Sequence, residues 1–164
     1  QKYWIIVNTK PCCEEKANTN LKRQGYRVFA PKILKTVSKF NKLKQILNPL
    51  FPGYIFVGLS PNQNWTKINN TYGVKKILKF NEKLCFLPQS FLEDLKKKCD
   101  SKGVFLIKKS FKKGQIVAYV KNNNFLFKVI FNEYIDANRS YVLLDFLKNK
   151  IKTQVKNKFL EPVF

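Results

Sequence analysis

Pro49-Leu50-Phe51-Pro52-Gly53-Tyr54-Ile55-Phe56-Val57 is the stretch on which the fold of this chain turns. Proline fixes φ and lacks a backbone donor, so Pro49 to Pro52 reads as a stiff corner lying outside any sheet or helix. Gly53 permits a tight turn, and the β-branched and aromatic residues from Tyr54 to Val57 read as the start of a strand, Tyr54–Leu59. The segment launches a strand from a rigid bend and crowds aromatic rings at its origin. Those rings have two readings, ordinary core filling and an exposed apolar patch.

Working outward, Tyr3–Asn8 is an apolar run of strand length. Residues 13–24 read as a helix, with Glu14 and Glu15 suited to its N-terminal dipole, Arg23 to its C-terminal end and Gly25 to its cap. Ala17 and Leu21 supply only a thin apolar stripe, which leaves most of that helix wet. Tyr26–Ala30 is a second strand. Residues 31–48 form a long hairpin-like excursion with a mobile tip. Residues 62–69 read as a short helix with Trp65 and Ile68 on one face, 74–80 as a strand and 91–98 as a helix. Strands and helices alternate without the spacing of repeated βαβ units, so the expected class is α+β, a mostly antiparallel sheet flanked by helices.

Length and composition narrow the function. The chain has 164 residues, 45% of them hydrophobic, enough for a packed core in one ordinary or two small domains. Its apolar runs fall short of the roughly 20 residues of a membrane-spanning helix, and the N-terminus lacks a signal-peptide pattern. The expectation is a cytoplasmic, monomeric protein without membrane association. Four cysteines without a C-x-x-C pair, and no histidine at all, give no support to a zinc site or to the commonest general base. No cofactor, metal or catalytic role is expected. A net charge of +22, from 32 basic and 10 acidic residues, favours polyanionic partners. Nearly all of the basic residues are Lys, as AT-rich coding would produce, so Arg23 and Arg27 are sharper candidates than any single Lys.

The order of features resembles the N-terminal domain of the NusG family of transcription elongation factors. Trp4-Ile5-Ile6-Val7, Leu21-Lys22-Arg23-Gln24-Gly25, Phe29-Ala30-Pro31, the Pro-Leu-Phe-Pro-x-Tyr corner, Trp65, Ile68, Asn69 and Thr71-Tyr72-Gly73-Val74 follow in family order. The tail, with Arg139-Ser140, Leu143-Leu144 and Ile151-Lys152 before Val155-Lys156-Asn157, resembles the specialised RfaH branch. The resemblance implies a bacterial antitermination factor with an RNA polymerase-binding domain over 1–100, a linker over 101–110 and a KOW-like domain over 111–164.

That last domain fits two periods. Residues 116–120, 125–131, 140–144 and 151–155 are strand-length, separated in part by 122–124 and 136–138 as turns, and suit a small β-barrel. Leu143, Leu147, Ile151 and Val155 nevertheless recur at helical spacing, and no Gly or Pro lies between Gly114 and Pro162. An α-helical hairpin that switches to a barrel is the alternative the RfaH likeness implies. Asn48 and Arg139 occupy the positions of its interdomain pair, although Asn48 stands where an acidic residue is usual.

The resemblance also assigns surfaces. Phe51, Pro52, Tyr54, Phe56 and Phe80 match the patch that docks on the clamp helices of the largest catalytic RNA polymerase subunit, and Asn64 and Thr66 match a contact to the second-largest subunit. Lys10, Lys16, Asn20, Arg23, Gln24, Lys67, Asn69, Tyr72 and Gly73 match a face toward the exposed non-template DNA strand. Here Tyr72 replaces an arginine and Asn20 a histidine, so the DNA element read would differ. A small-subunit ribosomal protein is the implied partner of the C-terminal domain. The competing reading is a basic RNA-binding or ribosome-associated protein that does not dock on polymerase.

Overall fold

The structure, a computed structural model, describes residues 3–122 and 125–164. It is α+β and divides into two compact units, one formed by residues up to Ile33 together with Asn48–Leu106, the other by Leu34–Leu47 with Ile107–Phe164.

The first unit is built on a sheet of β1 (Tyr3–Thr9), β2 (Arg27–Phe29), β5 (Tyr54–Leu59) and β6 (Val74–Ile77) in the order β2-β5-β1-β6, with every pairing antiparallel. Between β2 and β5 the chain runs through β3 (Lys32–Lys39) and β4 (Lys42–Pro49), the expected excursion, reversing at Phe40 and Asn41, both at positive φ. β4 closes on Pro49, so the first corner proline does end a strand. At a strand terminus its missing donor costs little.

Both faces of the sheet are covered, which explains why β1 buries Trp4, Ile5 and Val7 in near succession. Ile5, Val7, Ile55, Val57 and Leu59 pack toward α1 (Glu14–Arg23), whose Ala17 and Leu21 are fully buried. Trp4 and Phe56 point the other way and pack on Leu92 and Leu95 of α2 (Gln89–Lys97). The period-2 geometry of a strand makes this split obligatory.

Beyond shifts of one residue at strand and helix ends, three stretches of this unit differ from the sequence reading. The helix expected over 62–69 is a short 3-10 turn, Thr66–Asn70, anchored by buried Ile68. The strand expected over 74–80 breaks after Ile77, although the Leu78 amide still donates to the Ile6 carbonyl at 2.9 Å. The chain then forms a small hairpin of β7 (Lys79–Phe80) and β8 (Lys83–Leu84), followed by β9 (Phe86–Leu87), which pairs with β1. α2 starts two residues before Phe91, at Gln89 directly after Pro88. β10 (Val104–Phe105) then pairs parallel with Lys32 and Ile33.

The second unit carries an antiparallel sheet in the order β14-β13-β12-β11-β15: β11 (Ile116–Lys121), β12 (Phe125–Tyr134), β13 (Arg139–Phe146), β14 (Asn149–Lys156) and β15 (Leu160–Pro162). Phe111, Val117, Val129, Phe131, Val142 and Leu160 form its core. The segment that fits two periods is therefore β, not a helical hairpin. Leu143, Ile151 and Val155 lie in strands, while Leu147 sits in the β13–β14 turn at φ 46° with 80% of its surface exposed. Of the turn expected at 122–124, Asn123 and Asn124 lie outside the described residues; Asn122 has φ 54°.

Candidate functional site

The corner before β5 is a β-turn in which the Tyr54 amide donates to the Phe51 carbonyl at 3.0 Å. Pro52 and Gly53 occupy its two central positions, and Gly53 has φ 84°, the arrangement a type II turn demands. Three bonds hold Gly53 in place. Its carbonyl accepts from the Thr9 amide and from Asn8 Nδ2, each at 2.8 Å, and its amide donates to Glu14 Oε1 at 2.8 Å. Asn8 and Glu14 were not among the expected site residues. Their contacts close over 45 and 39 residues of chain, and nothing local in the sequence signals them.

The rings of the corner separate into a base and a rim. Phe56 is buried, with the rings of Phe29, Phe51 and Phe91 at 6.3, 5.6 and 6.3 Å around it. Tyr54, on the same side of β5, is 42% exposed and stands opposite Asn8 in register. Phe91 is 44% exposed and meets Phe56 edge-on. Phe51 is half-buried and Pro52 exposed. The result is an apolar surface whose rings are locked from beneath. Phe91 was missed by the sequence reading. Its signal was its place before Leu92 in α2, where a ring next to a buried residue lies at the margin of the helix's apolar stripe. Phe80 is 73% exposed on the β7–β8 hairpin.

A second surface forms where α1 meets the chain leaving the 3-10 turn. Gly73 packs so closely that a Cβ there would come within 2.8 Å of the Ala17 backbone nitrogen, and its carbonyl accepts from the Lys10 amide at 2.9 Å. Asn20 Nδ2 donates to the Tyr72 carbonyl at 3.1 Å, and Gln24 Nε2 to Thr71 Oγ1 at 2.9 Å. Lys16 Nζ lies 5.8 Å from the centre of the exposed Tyr72 ring. Thus Lys10, Lys16, Asn20, Gln24, Tyr72 and Gly73 come together. The Asn20 and Gln24 donors are already engaged in fastening the two elements. Asn69 Oδ1 accepts from the Ile77 amide at 2.9 Å and so holds the last residue of β6. Arg23 and Lys67 are exposed.

Asn64 and Thr66 satisfy one another: Asn64 Oδ1 accepts from the Thr66 amide at 2.9 Å and from its hydroxyl at 2.6 Å, just ahead of the 3-10 turn. Glu15 pairs with Lys32 at 2.8 Å, and that hydrogen bond holds its carboxyl below the usual range. Asn48 lies near the end of β4. Arg139 commits its guanidinium to Asp136 within its own unit, at 2.6 Å. Among the described residues no cluster of His, Cys, Asp and Glu is arranged to hold a metal ion.

The family model for "Transcription termination factor nusG" matches residues 2–96. The "Transcription termination/antitermination protein NusG" of Halalkalibacterium halodurans is 32% identical over an 84-residue alignment taking in 45% of this chain and 47% of that protein. The protein of the same description from Staphylococcus carnosus is 32% identical over 83 residues, 44% of this chain and 46% of its own length. The chain thus spans about half the length of the curated relatives it matches. A solved structure titled "Domain interaction in Thermotoga maritima NusG" aligns with 98% of this chain and 97% of its own at 16% identity, with a TM-score of 0.37.

Proposed function

This chain belongs to the NusG family, and on that premise we propose that it is a transcription elongation and antitermination factor that binds RNA polymerase through the corner at Phe51–Tyr54. The observation that carries this reading is two half-exposed rings: Tyr54, placed by the turn tied at Gly53, and Phe91, which meets buried Phe56 edge-on. Rigid aromatic rings beside an apolar margin suit the groove-and-helix mode of recognition, since little side-chain freedom is lost on docking. The occupant is the clamp helices of the largest catalytic subunit. Asn64 and Thr66 face the second-largest subunit, and Lys10, Lys16, Arg23, Lys67 and Tyr72 run along the non-template DNA strand. Lysines position on phosphates and Tyr72 stacks on an unpaired base. In this reading the chain is a specialised RfaH-like member that suppresses pausing, and its C-terminal unit couples to a small-subunit ribosomal protein.

The test is retention of bacterial core RNA polymerase by the immobilised full chain. Wild type and a Phe40→Ala control, altered at the exposed hairpin tip, should retain the enzyme equally. Tyr54→Ala/Phe91→Ala should lose it. Undiminished retention by the double variant removes the docking site.

A further inference from the structure

The second unit contains a cleft of about 1090 Å3 whose walls include Lys108, Tyr134, Arg139, Lys156 and Lys158. Its construction is more deliberate than a scatter of surface lysines. One wall is the 136–139 loop, in which the Asp136 carboxylate accepts from the amides of Asn138 and Arg139, each at 2.8 Å, and from Arg139 Nε at 2.7 Å. Asn157 fastens the same loop from the opposite strand end. Its amide donates to the Asn138 carbonyl at 2.7 Å, its Nδ2 to the Ala137 carbonyl at 3.1 Å, and its Oδ1 bonds the buried Ser140 hydroxyl. Tyr134 is fixed at two points: its hydroxyl accepts from the Phe111 amide at 2.8 Å, and its ring lies 4.7 Å from that of Phe131. The ring remains 46% exposed.

Charge is the second observation. Arg139 and Lys156 stand directly opposite one another in the β13–β14 register. Like charges facing across a strand pair are destabilising; Asp136 offsets Arg139 here and leaves Lys156, among the described residues, without a counter-charge. The lining holds one carboxylate, Asp136, and Arg139 uses it. Lys109 pairs with Glu161. Among the described residues, Lys108, Lys156 and Lys158 have no ion-paired carboxylate.

We propose that this cleft binds a single-stranded polynucleotide, with phosphates between Lys108, Arg139 and Lys156 and one base stacked on Tyr134. An anion beside Lys156 and Lys108 meets cations that no carboxylate among the described residues pairs, and the locked ring offers a π-face beside the backbone track, the combination that sequence-tolerant single-strand sites use. An acidic peptide would satisfy the cations but leave the ring unused. A duplex would keep its bases from reaching it. The site is independent of the polymerase-docking surface and stands or falls without it.

The experiment is titration of the 15N-labelled full chain with ten-nucleotide oligo-U, oligo-dT, a duplex of equal length and a poly-glutamate of equal charge. Amide signals of Tyr134, Asn138, Arg139 and Asn157 are followed. These should shift with the single strands; tighter oligo-U assigns RNA and tighter oligo-dT assigns DNA. Lys108→Gln/Lys156→Gln, which leaves the Asp136–Arg139 pair intact, should weaken binding read at these amides by about tenfold and reduce the log–log salt slope by about 1.4, two phosphates' worth. Lys128→Gln/Lys150→Gln removes the same charge from residues outside the lining and should change the affinity by less than about threefold. Any of three results overturns the proposal: equal loss in the two double variants, equal shifts with duplex or poly-glutamate, or oligonucleotide shifts confined to the first unit.

Discussion

Tyr54 and Phe56 are two residues apart and serve opposite ends of one side of β5. Both project to the side covered by α2, yet Phe56 is enclosed by Trp4, Leu92 and three rings while Tyr54 reaches the rim. Substitution should therefore separate binding from folding. Tyr54→Ala is expected to leave the thermal midpoint nearly unchanged and cost about 2 kcal/mol of polymerase affinity, a typical value for a central aromatic anchor. Phe56→Ala should instead cost about 3–5 kcal/mol of stability by opening a cavity, visible in urea unfolding before any binding is measured. Asp136 is a second residue with a defined signature. The side-chain hydrogen bond from Arg139, aided by the Asn138 amide, holds its carboxyl below the ordinary value. A group depressed in the folded state contributes stability that is fully present above its unfolded pKa of about 4 and is lost as pH falls through the lower folded value. The urea midpoints of wild type and Asp136→Asn should thus differ at pH 7 and converge as the pH falls through the lowered folded value.

At the scale of elements, the β13–β14 hairpin decides the character of the second unit. Its strands pair in unbroken register from Arg139↔Lys156 to Phe146↔Asn149, and the two residues between, Leu147 and Lys148, take φ of 46° and 65°. Left-handed backbone at a residue with a side chain costs about 1–2 kcal/mol, and the turn bears it twice. Asn-Gly is the pair that two-residue hairpins favour there. Leu147→Asn/Lys148→Gly should accordingly raise stability by about 1–2 kcal/mol, read as a higher thermal midpoint with the far-UV spectrum unchanged. An unaltered midpoint would mean the turn carries no such strain. The 3-10 turn and α1 behave differently: their junction relies on Gly73, where positive φ and the Ala17 backbone leave no room for a side chain.

Taken whole, the molecule carries +22 on 164 residues. Charge of one sign repels itself in the compact state and attracts polyanions, and salt screens both effects. Raising NaCl from about 50 to about 300 mM should therefore raise the unfolding midpoint while weakening nucleic-acid binding, because counterion release loses its drive. Calorimetry and fluorescence anisotropy on the same samples check the two halves. A midpoint that falls with salt would show that the ion pairs, five of them among the described residues, outweigh the repulsion.

Much of this was legible in the residues. The apolar runs at 3–8 and 54–59, the prolines and glycine of the corner and the acidic start of α1 act locally, through φ restriction, donor loss and dipole interaction, so they specify strands, turn and helix without help from afar. Composition likewise determined the charge. Period was not enough in the second unit: Leu143, Leu147, Ile151 and Val155 satisfy a helix as well as a hairpin, and only cross-strand pairing with β12 and between the strands themselves selects the latter. Nor could alternation along β5 say which ring reaches water, since α1 covers one side of the sheet and α2 the other. The bonds from Asn8 and Glu14 to Gly53 join residues distant in the chain. Exposure and long-range contact are properties of what packs on top, and that is decided only when the whole chain has folded.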